Sequence, residues 1–219
     1  MKRSWLSLAL VFVALLACHP PSIPAPSAGG PAEPQPAARA AAQFDFYLLN
    51  LSWSPEFCHS HPAAAECAMH LSFVLHGLWP QNNDGSYPHN CSTGPAPADP
   101  SQYSDIYPDQ SLLEHEWTTH GTCSGLSADD YFSLARKAVR AVVIPPKLAH
   151  LAAQTSMPPD QILGLFTASN PPIPQAALAL SCGSNYLTAV EECVDKNLRP
   201  VACSGVRSCR ANTVKIPPP

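Results

Sequence analysis

Eight cysteines between positions 58 and 209 restrict this chain more than any other feature of its sequence. They are Cys58, Cys67, Cys91, Cys123, Cys182, Cys193, Cys203 and Cys209; a ninth, Cys18, stands apart near the N-terminus. An even set of this size in an exported domain reads as four disulfides. No two cysteines have Cys-x-x-Cys spacing, which argues against a zinc ribbon or a thioredoxin-like site. Eight cysteines allow on the order of a hundred pairings, and spacing alone does not choose among them.

The N-terminus agrees with export. Met1–Arg3 is a short basic stretch, and Trp5–Leu16 is apolar apart from Ser7. That is the length of a signal-peptide hydrophobic region and short for a bilayer span. The run ends in Leu15-Leu16-Ala17-Cys18. This resembles the lipobox of bacterial lipoproteins, in which the cysteine is lipidated and becomes the first mature residue. The alternative is ordinary cleavage near Ala17, which would release a secreted protein. From His19 to about Ala42 the chain is rich in Pro, Ala, Ser and Gly and has no hydrophobic period. Such a segment buries too little to offset its ordering entropy and reads as a disordered, semi-extended tether. The expected organisation is a leader and lipidation cysteine over 1–18, a tether over 19–42 and one folded domain over 43–219. The expected location is the bacterial periplasm or cell envelope.

At 219 residues, a second catalytic domain would be a squeeze. Apolar residues make up 46% and charged residues 13%, a globular balance. The net charge is −4, and about −6 once Lys2 and Arg3 leave with the leader. A protein that held nucleic acid by charge alone would be basic. Any case for such a partner must therefore come from a site.

Phe44–Trp53 reads as a central strand closed by Ser54-Pro55, and Leu71–Leu75 as a second strand ending at His76-Gly77. Pro80–Pro100 is a turn-rich loop. Leu112–His120 has helical spacing and stops at Gly121. Ser127 and Asp130 make a capping-box-like start for a helix whose apolar face is Tyr131, Leu134, Ala138 and Val142. A further helix covers roughly Pro158–Ala168, preceded by Ser156. Ala176–Cys182, Tyr186–Val194 and Leu198–Ala202 read as short strands. There is no βαβα rhythm, so the expected class is α+β, with a mainly antiparallel sheet flanked by helices.

Two segments carry chemistry. In the first, His76 stands where a buried strand is expected to run out, followed by Gly77, Leu78, Trp79 and Pro80. The second is His115-Glu116-Trp117-Thr118-Thr119-His120-Gly121-Thr122-Cys123. On a helix Glu116 and His120 are four apart and share a face, with His115 beside them. A zinc hydrolase would need histidines four apart, as in His-Glu-x-x-His. Here Thr119 is four after His115 and His120 is five after, about 500° of helical rotation, so the two imidazoles should diverge. No metal is expected there. His59 and His61, near Cys58, read as a surface loop.

Together these two segments resemble the active-site segments of the T2 family of ribonucleases, in the same order, and the resemblance runs from about Phe44 to the C-terminal cysteines. It implies an α+β, exported endoribonuclease that needs no metal or other cofactor. Such an enzyme cuts single-stranded RNA through a 2′,3′-cyclic phosphate and leaves DNA intact. It implies His120 as general base, His76 as general acid, His115 as a phosphate contact, and Glu116 orienting His120 or polarising the phosphoryl group. Trp79 would offer a base a stacking face or join the core. The implied disulfides are Cys58–Cys67, Cys91–Cys123, Cys182–Cys209 and Cys193–Cys203. The expected partners are RNA and, through Cys18, a membrane, with the protein a monomer. One departure stands out: the family usually has lysine immediately before the last histidine, and this chain has Thr119. A hydroxyl donates a hydrogen bond but brings no charge to the phosphate. The rival reading is therefore a weak or inactive RNA-binding lipoprotein that kept the fold.

Overall fold

The structure, a computed structural model, describes residues 43–219; the leader, Cys18 and the tether lie outside the described residues. Its centre is β1 (Phe46–Trp53). Leu49, Leu51 and Trp53 enter the main core on one face, while Phe46 and Leu48 pack with Cys193 on the other. Burial on both faces explains the near-continuous apolar run. The exceptions are Asn50 and Ser52, two apart and so on one face.

Helix α1 (Ser54–Ser60) follows, then β2 (Phe73–Gln81), antiparallel to β1. Strand β2 does not stop at Leu75, as its short apolar run suggested. It continues through His76 because a bulge lets it. Gly77 lies opposite Asn50 and Leu75 opposite Leu51, leaving His76 as the extra residue. A bulge re-aims a side chain without ending the strand. Here it also lets Leu75 and Leu78, three apart, both face the core.

Helix α2 (Gln110–Thr119) begins at Asp109, whose side chain accepts from Ser111 N at 2.8 Å, and buries Leu113, Glu116 and Trp117. Gly121 follows its end, but not as a left-handed cap: it is absent from the positive-φ residues. A side chain there would run into the rings of Trp117 and Tyr131. Helix α3 (Ala128–Ala141) has the expected cap, with Ser127 Oγ accepting from Asp130 N at 3.1 Å and donating to Asp130 Oδ2 at 2.6 Å. Its buried face is Tyr131, Phe132, Ala135 and Ala138, rotated from the expected stripe, so Leu134 and Val142 are only half-buried. The rotation lets Phe132 pack on Tyr103 and Tyr107 at 5.2 and 5.6 Å.

Helix α4 (Pro146–Ala149), β3 (Thr155–Met157) and α5 (Pro159–Ser169) come next. Ser156 belongs to β3, and Pro158 caps α5. Strands β4 (Leu178–Gly183) and β5 (Tyr186–Val194) form a hairpin, and β6 (Val214–Ile216) pairs with β3. The sheet order is β2-β1-β5-β6-β3, with β4 also on β5; among the described residues only the β5–β6 contact is parallel. Leu198–Ala202 is not a strand. Leu198 has φ +63°, and the only pairing is one bridge from Val194 to Pro200, which has no amide hydrogen to extend a ladder.

Four disulfides close: Cys58–Cys67, Cys91–Cys123, Cys182–Cys209 and Cys193–Cys203. Cys91–Cys123 holds the long loop after β2 against the end of α2. Trp117 Nε1 adds a bond to Gly94 O at 3.1 Å, and Asn90 N bonds Thr119 O at 2.8 Å. The end of α2 is thereby fixed over the β2 bulge.

Candidate active site

The bulge at His76 and the end of α2 face each other. Between them stands Trp79, which ties the two segments together. Its Nε1–H donates to Glu116 Oε2 at 2.7 Å. Its ring stacks on His120, with centroids 5.0 Å apart and planes 26° apart, and meets His76 edge-on at 5.1 Å. His115 and His120 come within 6.4 Å, ring to ring. The other carboxyl oxygen of Glu116 lies 3.6 Å from His76 Nε2. Three imidazoles, one carboxyl and one indole thus converge from segments about forty residues apart.

Two expectations about orientation are corrected here. Glu116 hydrogen-bonds Trp79 and lies 3.6 Å from His76, and among the described residues no hydrogen bond joins it to His120, the contact that the orienting role implied by the resemblance would need. His115 and His120 do not diverge either. Helix α2 ends at Thr119, and His120 is a cap residue with φ −117° and ψ −48°, so the 500° rotation does not apply to it. Donor atoms of His115, Glu116 and His120 lie within 4.8 Å of one another, with Glu116 Oε2 already engaged by Trp79. Trp79 is half-buried, neither a core residue nor a free stacking face on the side that His120 covers.

Gly77 is what allows this contact. A Cβ at 77 would overlap both Glu116 Oε2 and Trp79 Nε1. The glycine after His76 thus has a steric cause: the indole–carboxyl bond passes directly over its Cα.

The electrostatics separate the groups. Burial, eased only partly by the Trp79 bond, pushes Glu116 up to about 8, so it is a neutral acid at neutral pH. Burial holds His120 down to about 4, helped by the nearby charges of His115, His76 and His89. His76 is lowered from 6.5 by burial and then by His115. The charge on His76 is among the causes that lower His120, so between the two values the proton sits on His76 and not on His120.

The side chains of this cluster line two clefts. One, of about 300 Å³, is lined by Ser52, Phe57, Glu66, His76, Asp109, Ser111 and His115. The other, of about 460 Å³, is lined by Trp79, Gln81, Tyr87, His120, Glu191 and Arg207. Thr119 lines neither cleft. Sequence reasoning missed Ser52, His89, Glu191 and Arg207. The polar pair Asn50 and Ser52 inside an apolar strand was the one visible signal. Arg207 has no local pattern that marks it, and it reaches the cleft because Cys193–Cys203 and Cys182–Cys209 flank its loop.

Residues 44–203 match the model of the Ribonuclease T2 family. A ribonuclease of Aeromonas hydrophila is 48% identical over 97 residues, covering 43% of this chain and 45% of that protein. A probable ribonuclease of Haemophilus influenzae is 31% identical over 185 residues, covering 75% of this chain and 62% of that protein. The chain therefore spans about half to just under two thirds of the length of these two relatives. Among solved structures, a mutant of RNase MC1, a ribonuclease from bitter gourd seeds, was determined with 5′-UMP. It shares the fold at a TM-score of 0.62 and 24% identity, over 79% of this chain and 98% of that one.

Proposed function

The chain belongs to the ribonuclease T2 family, and on that premise we propose that it cleaves single-stranded RNA by transesterification between two histidines. The observation that carries this reading is the meeting of His76, from a strand bulge, with His115, Glu116 and His120 around one indole beside two clefts. A general acid and a general base must reach a phosphate from different directions, and two separate segments supply them.

His120, neutral above about pH 4, takes the proton of the 2′-hydroxyl. The freed oxygen attacks the adjacent phosphorus. The bond from phosphorus to the 5′-oxygen breaks, and protonated His76 gives that oxygen its proton. The product ends are a 2′,3′-cyclic phosphate and a 5′-hydroxyl; water opens the cyclic ester with the two roles exchanged. His115 binds the phosphate. Glu116, buried and protonated up to about pH 8, brings no negative charge to the neighbourhood of the phosphate. Arg207, on the Trp79 side, supplies cationic charge to the substrate in the absence of a lysine at 119. The cleft beside Trp79 takes a nucleotide base, its lining offering the aromatic side chains of Trp79 and Tyr87 and the cation of Arg207. DNA lacks the attacking hydroxyl and is not cut. The proposal includes export, a lipid anchor on Cys18 with 19–42 as its tether, and action as a monomer in the cell envelope; cleavage near Ala17 would give a secreted form.

The test is incubation of the protein, made in an oxidising compartment, with single-stranded RNA and EDTA from about pH 4 to 8, a range bracketing the histidines. Cyclic-phosphate ends that form despite EDTA are the expected result. Folded protein that binds RNA but never cuts it would overturn the enzyme reading in favour of the retained-fold binder that Thr119 suggests. Activity abolished by EDTA would replace the two-histidine scheme with one built on a metal at His115, Glu116 and His120.

Gly77→Ala gives an independent check on the geometry. The added methyl displaces Glu116 or Trp79, and a misplacement of about 1 Å commonly costs about 10²-fold in rate. We expect kcat to fall by about that factor. A loss of less than about threefold would show that the indole–carboxyl bond is dispensable.

A further inference from the structure

One face of the sheet carries a line of polar side chains that leads away from His76. His76 Nδ1 lies 3.2 Å from Ser52 Oγ. Ser52 Oγ lies 3.4 Å from Asn50 Oδ1. Asn50 Nδ2 donates to Glu191 Oε1 at 3.0 Å, and Ser181 Oγ donates to the same oxygen at 3.1 Å. The topology makes this line. Asn50 and Ser52 are two apart on β1, Asn50 sits opposite Glu191 on β5, and the bulge turns His76 on β2 toward Ser52. Asn50 and Glu191 are buried, at 5% and 6% exposure, within a sheet whose other positions here are mostly apolar. Buried polar groups without a task are costly to keep, whereas a fully connected chain of them specifies one arrangement.

The hydrogens can be assigned from one end to the other. Burial raises the Glu191 carboxyl and the bonds from Ser181 and Asn50 lower it in part; in its ionised form it only accepts, and both groups donate to it. That turns the amide of Asn50 so that Oδ1 points to Ser52. Among the described residues Asn50 Oδ1 has no other donor, so the single hydroxyl proton of Ser52 goes there. Ser52 then has only a lone pair for His76, and Nδ1 of His76 must carry a hydrogen. Every bond in the line donates toward Glu191, an arrangement in which each bond polarises the next.

We propose that Ser52, Asn50 and Glu191 are positioning residues that hold His76 as the Nδ1–H tautomer and aim its Nε2 toward Glu116, at the edge of the cleft that His76 lines. Ser52 lines the His76 cleft and Glu191 the Trp79 cleft, but the effect proposed here passes through the ring of His76. In the protonated ring, Nδ1–H stays on Ser52 and the transferable proton is the one on Nε2, on the side of Glu116. The groups facing the same ring are Glu116 from α2 at 3.6 Å, His115, His120 and Trp79; Glu66 and Asp109 line the cleft beside it. None of them contacts Nδ1. The catalytic part of this proposal rests on the ribonuclease reading, but the tautomer does not.

The experiment therefore has two readouts. In the full-length protein labelled with ¹⁵N-histidine, the Nδ1 and Nε2 shifts of neutral His76 report which nitrogen carries the hydrogen. The expected result is Nδ1–H in the wild type, with a shift toward the Nε2–H form that dominates for free histidine in Ser52→Ala. Ser52→Thr keeps the hydroxyl and should restore the wild-type pattern. On RNA, Ser52→Ala should lower kcat about tenfold with KM little changed, and Ser52→Thr should recover it. Glu191→Gln should have a smaller effect in the same direction, since an amide oxygen still accepts from Asn50 without the charge. An Nε2–H ring in the wild type, or one unchanged in Ser52→Ala, overturns the proposal. If the protein proves inactive on RNA, the nitrogen shifts still decide the tautomer, so failure of the relay and failure of the enzyme reading are told apart.

Discussion

His76→Ala and His120→Ala should each lower kcat on RNA by about 10² to 10⁴-fold, the range for losing a general acid or base, and each should remove a different limb of the pH profile. The direction follows from the site. His120 is held down to about 4, so it is in the form that accepts a proton across the mildly acidic range. His76, lowered less and from 6.5, keeps its proton to a higher pH than His120 does. The populated state between the two values has His120 neutral and His76 charged, which is the state the forward reaction needs. The opposite assignment would require the rare state with the protons exchanged. The wild-type profile should therefore be a bell on the acidic side of neutrality, rising near pH 4 and falling below 6.5. His120→Ala loses the rising limb and His76→Ala the falling one. A substrate with a p-nitrophenolate leaving group makes the roles separable, because such a group departs without a proton. On uridine 3′-(p-nitrophenyl phosphate), His76→Ala should regain most of its activity and His120→Ala should not. The reverse pattern would exchange acid and base. Undiminished RNA cleavage by either variant would remove that histidine from the mechanism.

What the sequence could disclose about this site depended on distance along the chain. The local runs around His76 and His120 are short and chemically dense, and Ser127 with Asp130 declared the start of α3 through a contact three residues long. Contacts made across the fold left no such trace. The bulge that aims His76 exists only in the pairing of β2 with β1, and the apolar run before it looked like a strand that ended early. Glu116 answers to Trp79, 37 residues away, and not to the neighbour four residues on that the resemblance implied. The strands β3 and β6 are three residues each, too short for an alternation to register, and are held by each other. Leu198–Ala202 had strand-like composition but is bent by Leu198 at positive φ, between residues tied by Cys193–Cys203. The polar relay was half visible: Asn50 and Ser52 break the apolar pattern of β1, but their meaning needed Glu191 on the neighbouring strand.

Glu191 has donors, whereas its neighbour Glu192 has none among the described residues, and that difference should show in how stability depends on pH. Glu192 points to the other face of β5, into a cavity lined by Leu49, Ala138, Ile173, Val194 and Leu198, and is 6% exposed. Burial alone pushes it up from 4.5 to about 7. A carboxyl raised in the fold binds its proton more tightly there than in the unfolded chain, so its stabilising effect is complete below 4.5 and is lost as pH climbs through about 7. At about 1.4 kcal/mol per pH unit the full loss is about 3 kcal/mol, a large part of a typical folding free energy. Glu116, raised to about 8, extends the decline to higher pH. His120 works in the opposite sense: its lowered value makes the fold lose stability as pH falls from 6.5 through about 4. Below 6.5 the two trends offset each other, and above it only the carboxyls act, so Tm should fall steeply between about pH 6.5 and 8.5. Glu192→Gln keeps the shape and polarity of the neutral acid and cannot ionise. It should raise Tm by about 5–10 °C at pH 8.5 and by little at pH 4.5, as judged from thermal unfolding followed by circular dichroism. An equal gain at both pH values would mean that the amide simply packs better, and no gain at pH 8.5 would mean that the carboxylate finds water or a cation in that cavity when it charges.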